Sequence, residues 1–90
     1  MKEEMRLEFK DTILKDLQEF LRESEITMRF VDSELSIINP FLIHDESKIY
    51  VSISRTYIFV RNTALFPAVK IPLANPEYRG RVFEAISYLL

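Results

Sequence analysis

KIYVSISRTYIFVR, residues 48–61, carries the clearest two-residue period in the chain. Ile49, Val51 and Ile53 are aliphatic, and Lys48, Tyr50, Ser52 and Ser54 between them are polar or amphipathic. Successive side chains of a strand point to opposite faces, so this is a half-buried strand. From Tyr57 to Arg61 the aliphatic pair is Ile58 and Val60, with Tyr57, Phe59 and Arg61 on the other parity. Both aliphatic sets share a face only if the connection holds an even number of residues. A two-residue Arg55-Thr56 turn would need positive φ at residues that disfavour it. The spacing therefore predicts a hairpin with a four-residue loop, Ser54–Tyr57, pairing Ile53 with Ile58 and Val51 with Val60.

The flanks read as helix, strand and extended chain. Upstream, Met5, Phe9, Ile13, Leu17, Phe20 and Leu21 recur at three and four, with Leu7 and Leu14 widening the stripe. That spacing predicts a helix over residues 3–23, with Glu3, Glu4 and Glu8 at its start and Arg22 at its end, as the helix dipole favours. Its polar face is mainly acidic, which suits a core helix better than one lying on an anionic membrane. Ile26, Met28 and Phe30 then alternate with Thr27, Arg29 and Val31, a strand. Asp32-Ser33 is expected to turn and Leu35–Asn39 to form another strand, broken at Pro40. Phe41-Leu42-Ile43 and the polar His44-Asp45-Glu46-Ser47 are expected as a loop leading into the hairpin.

Downstream, the strand is expected to continue through Asn62–Leu65. Pro67, Pro72 and Pro76 make residues 66–75 extended, with Ala68, Val69, Ile71 and Leu73 along the core edge. Asn75 with Pro76 and Glu77 predicts a helix start, and Val82, Phe83, Ile86, Leu89 and Leu90 its buried side. Gly80 is the single glycine. Within a helix it costs about 1 kcal/mol relative to alanine, so a close approach to the sheet or to the first helix is expected there. The uncapped Tyr88-Leu89-Leu90 end implies either burial or a longer natural polypeptide. The resulting fold class is α+β: one domain, residues 1–90, with an antiparallel sheet of three to four strands flanked by an N-terminal and a C-terminal helix, in the order α-β-β-β-β-α.

Composition bounds function more than it assigns it. A chain of 90 residues with 48% apolar residues can bury roughly 60–65% of its unfolded surface, enough for one modest core. The absence of cysteine excludes disulfide and thiol chemistry and suits a reducing compartment. No apolar run reaches the length of a membrane span and the N-terminus is too charged for a signal peptide, so a cytoplasmic setting is expected. Residues 1–47 hold six basic and twelve acidic side chains, and residues 48–90 six and two. Such a division could bring one copy's acidic helix to another's basic half or steer an anionic ligand, although small domains often divide charge unevenly.

No catalytic residue, metal site or cofactor is expected. His44, Asp45 and Glu46 are the one cluster that resembles a metal or catalytic group, but adjacent residues in a strand-like loop cannot all converge as three or four ligands. Asp32 or Glu34 would help if the two turns meet, and a solvated loop is the reading preferred. One glycine leaves no phosphate-cradling loop, and no serine sits in a nucleophile elbow. The candidate binding surface is the second sheet face: Lys48, Tyr50, Tyr57, Phe59 and Arg61. Aromatics beside cations can stack bases and meet phosphates; the same residues can equally pack under a helix or a second subunit, with the cationic stems alongside.

The order of strand, turn, long strand Tyr57–Leu65, the Phe66-Pro67 and Ile71-Pro72 steps and the helix after Pro76 resembles the YbjN-type family of sensory-transduction regulators, which share their fold with type III secretion chaperones. The N-terminal helix and residues 26–39 fit the same order. The resemblance rests on hydrophobic spacing and prolines over the whole chain. It implies dimerisation and protein binding, a fold continuing with two more strands and another helix, and no catalytic residues to carry over. The leading expectation is a non-enzymatic, chaperone-like adaptor or small regulator that binds a protein partner as a homodimer. The second is a single-stranded nucleic-acid binder using the aromatic and basic face. A third, suggested by size alone, is a virus-encoded inhibitor of a host protein.

Overall fold

The computed structural model describes the backbone of residues 2–31, 40–62 and 65–90 and the side chains of residues 9–31, 40–62 and 68–90. Helix α1 (Lys2–Glu23) leads into a five-stranded antiparallel meander, and helix α2 (Tyr78–Leu89) closes the order. The strands are β1 (Arg29–Val31), β2 (Phe41–His44), β3 (Ile49–Ile53), β4 (Tyr57–Asn62) and β5 (Leu65–Pro72), lying side by side in chain order. The α+β class and its sequence of elements agree with expectation; the strand number is five rather than three or four. The turn expected at Asp32-Ser33 and the strand expected over Leu35–Asn39 lie outside the described residues, as do the expected contributions of Asp32 and Glu34 and the side chains of Met5 and Leu7.

The hairpin register is the one that the alternation demands. Ile53 faces Ile58 and Val51 faces Val60, and all four are buried. Ser54 holds the loop: its N–H donates to the Tyr57 carbonyl at 2.8 Å, and its hydroxyl oxygen accepts from the Thr56 and Tyr57 N–H groups at 3.3 and 3.0 Å. This side chain supplies locally what a glycine turn would otherwise give.

Phe41–Ile43 is strand, not loop. Leu42 points into the core and pairs with Phe30 on one side and Val51 on the other. Inner residues thus line up across all five strands as Phe30, Leu42, Val51, Val60 and Val69. Both helices cover this one face. Leu14, Leu17 and Leu21 of α1 and Val82 and Ile86 of α2 join the inner sheet residues in a single buried cluster, and burial at about 25 cal/mol per Å² makes that cluster the main favourable contribution to folding.

The elements end for identifiable reasons. Glu25 stands at φ 67°, the Ile26 N–H donates to Leu21 O at 2.8 Å and the Glu25 N–H to Arg22 O at 3.0 Å. This is a Schellman closure with glutamate in the position usually given to glycine; Leu21 and Ile26, both buried, supply its apolar contact. The strand expected from Ile26 begins only at Arg29, although Ile26 and Met28 are buried. In β5, three residues separate Leu65 from Val69 where one separates Asn62 from Val60 opposite. Pro67 falls within this bulge, where a missing N–H is tolerated.

Helix α2 starts two residues later than its apparent cap. The Asn75 side chain accepts from the Glu77 N–H at 2.9 Å, but that closes a turn, and helix begins at Tyr78. Leu90 is 58% exposed and Tyr88 88% exposed, so this end is not buried. Gly80 has nothing within 4 Å of where a Cβ would stand, so close packing is not its reason. Val69 is 40% exposed, because it lies at the sheet edge where α2 leaves it partly open.

Candidate functional site: the open face of the sheet

With both helices on one side, the other side of the sheet is covered by no described element. One row of this face crosses four strands as Arg29, Ile43, Tyr50 and Arg61. A second set pairs Val31 with Phe41, Ser52 with Phe59, and Phe59 with Lys70; Tyr57 stands opposite Pro72. The rings are in mutual contact: Phe41 and Tyr50 have centroids 5.7 Å apart, and Tyr57 and Phe59 6.2 Å. Both pairs are tilted, a favourable arrangement of ring quadrupoles.

Cations lie over these rings. The Arg61 guanidinium stands 6.0 Å from the Tyr50 centroid, and Lys70 Nζ 5.1 Å from that of Tyr57. Ile43 is only 7% exposed yet stands apart from the helix-covered cluster. Its neighbours across the ladder on this outer face are Arg29 and Tyr50. The open face therefore has a small apolar layer of its own, rimmed by cations.

Of the five residues anticipated for this surface, Tyr50, Tyr57, Phe59 and Arg61 do share it. Lys48 does not belong to a strand: it is an exposed turn residue at φ 55°, immediately before β3. The expectation failed there because alternation says where a parity continues, not where the ladder stops. Phe41, Ile43 and Lys70 belong to the face and were missed. Phe41 and Ile43 sit in a strand apolar on both faces, which shows no period of two, and Lys70 sits between prolines that suggested irregular chain.

The turn before β3 is held structurally. His44 Nδ1 accepts from the Ser47 N–H at 3.3 Å, and Asn62 Nδ2 donates to Ser47 O at 2.9 Å. Asp45 accepts from Arg29 Nε at 3.0 Å and Nη2 at 2.9 Å, a two-pronged pair at the rim of the open face. The Arg29 hydrogen bond holds the Asp45 carboxyl below the usual carboxylate range. Among the described residues no three His, Cys, Asp or Glu side chains are grouped to hold a metal, and no helix is long and apolar enough to cross a membrane.

Comparison with protein-family models, with curated proteins and with solved structures gives no match.

Proposed function

We propose that this chain is a non-enzymatic protein-binding domain, a chaperone-like adaptor or small regulator, that docks through the open face of its sheet and works as a homodimer in the cytoplasm. The observation that carries the reading is the set of Phe41, Ile43, Tyr50, Tyr57 and Phe59, with two ring pairs in contact, on a face that no described helix covers. Sheets with one solvated face ordinarily alternate apolar-in and polar-out; here the outer parity is aromatic, and aromatic side chains with arginine are what protein interfaces enrich. The resemblance to the YbjN-type regulators and secretion chaperones supports the same reading through the dimerisation it implies. Light scattering behind size exclusion tests it. A dimer is expected at micromolar concentration, with Phe59→Glu shifting the chain to monomer while its circular dichroism is retained. A wild-type monomer at high micromolar concentration in ordinary salt removes the homodimer.

Arg61 over Tyr50 and Lys70 over Tyr57 favour a second reading, binding of a single-stranded nucleic acid. It expects affinity that falls steeply with salt, through counterion release, and that is lost in Tyr50→Ala. No fluorescence anisotropy change with labelled oligothymidine or oligouridine at low salt disposes of it. The protein reading is preferred because the formal net charge is −2, against the basic character of most nucleic-acid-binding domains.

A further inference from the structure

The edge of β5 adjoins the open face through Lys70, which stands opposite Phe59. Leu73 N–H donates to Thr56 O at 2.9 Å, which makes Pro72 and Tyr57 a pair that exchanges no backbone bond. Bonded and non-bonded pairs alternate along an antiparallel ladder. Ile71 and Ile58 are accordingly bonded to one another, and the N–H and C=O of Lys70, opposite Phe59, turn away from the sheet. No described strand lies beyond β5. Alongside this edge runs a cleft of about 220 Å³ between β5 and α2, lined by Val69, Lys70, Ile71, Asn75, Arg81 and Glu84. A free donor and acceptor on a strand edge beside a helix-flanked cleft are what an added peptide strand requires.

We propose that this edge accepts an extended peptide segment in which acidic and aliphatic residues alternate. The period of two dictates that pattern. A residue hydrogen-bonded opposite Lys70 places its side chain on the open-face side, beside the Lys70 ammonium, where a carboxylate is favoured. Its neighbours point to the other side, over the cleft beside half-exposed Val69, where an aliphatic side chain is favoured. Arg81 adds positive charge to the cleft wall; Glu84 lies on the same wall and disfavours a second acid there. Residues 48–90 as a whole carry six basic and two acidic side chains. A second copy of β5 is the poorer occupant. Pairing centred on Lys70 sets lysine against lysine, and pairing that brings Pro72 opposite Lys70 loses a donor.

Fluorescence anisotropy with a labelled, acetylated heptapeptide of alternating glutamate and valine tests the proposal, with the alternating lysine and valine peptide as comparison. The acidic peptide is expected to bind at least about tenfold more tightly. Lys70→Pro, which removes the outward N–H, and Arg81→Glu, an exposed helix position that keeps the backbone intact, are each expected to weaken it by about tenfold or more. Phe41→Glu, on the open face but three strands away from β5, should leave peptide binding in place, which separates this site from the dimer surface. Equal binding of the two peptides, no binding at about 1 mM, or full affinity in Arg81→Glu overturns the proposal, as does an edge that only self-associates.

Discussion

At the scale of single residues, several positions are set by backbone geometry rather than by packing. Gly80 is the clearest: it occupies an exposed helical position with open space where a side chain would go. Glycine costs a helix backbone entropy that alanine does not. Gly80→Ala is therefore expected to stabilise the fold by about 0.5–1 kcal/mol, measured as a raised urea midpoint at unchanged slope. Asp45 makes a pH-dependent contribution. Its folded-state pKa is lowered chiefly by the hydrogen bond from Arg29; desolvation opposes that, and the charges of Arg29 and Lys48 add smaller contributions in the lowering direction. A lowered carboxyl pKa stabilises the fold above the unfolded-state value and loses that contribution as pH falls through the folded one. Arg29→Met should bring the Asp45 carboxyl back towards its ordinary titration, seen by carbon NMR, with little change in stability at neutral pH because the pair is exposed.

At the scale of elements, legibility in the sequence followed the contrast between the two faces of each strand. Residues 48–61 announced a hairpin and its register because the inner parity is aliphatic and the outer one is not. β2 was hidden: Leu42 faces the core while Phe41 and Ile43 face outward, so an uninterrupted apolar triplet after a proline looks like neither strand nor helix. β5 was read as extended but not as ladder, since its prolines occupy the bulge and the strand end, positions the sequence does not mark. The same face logic grades the cost of truncation. Ile58→Ala, at a fully buried site shared by both helices' core, should cost about 2–5 kcal/mol. Val69→Ala, on the same face of the sheet but 40% exposed, should cost well under half as much. Paired denaturant melts decide whether the core fades towards the β5 edge in this way.

At the scale of the whole molecule, charge and topology combine. The acidic N-terminal half and the basic C-terminal half meet within the chain, where Arg79 Nε lies 2.7 Å from Asp16 Oδ2 across the two helices. The distance is that of an ion pair between partly exposed side chains, a kind of contact that contributes about 0–1 kcal/mol. Every strand pairs only with its neighbours in sequence, which keeps loop closure short despite a β-rich content. The domain is expected to fold in milliseconds, at the faster end for sheets; stopped-flow traces dominated by a phase of seconds in chains refolded after brief unfolding would contradict this. The shape of the candidate site was less legible than the fold, because which face the helices choose depends on all the elements at once.

Pro72 has a further consequence. The outermost strand offers a docking register at Lys70 and then, two residues on, a carbonyl with no amide beside it. A guest segment can pair over a short span, but an endless stack of identical strands meets a missing rung in every layer. At this edge the missing rung works against templated fibre growth.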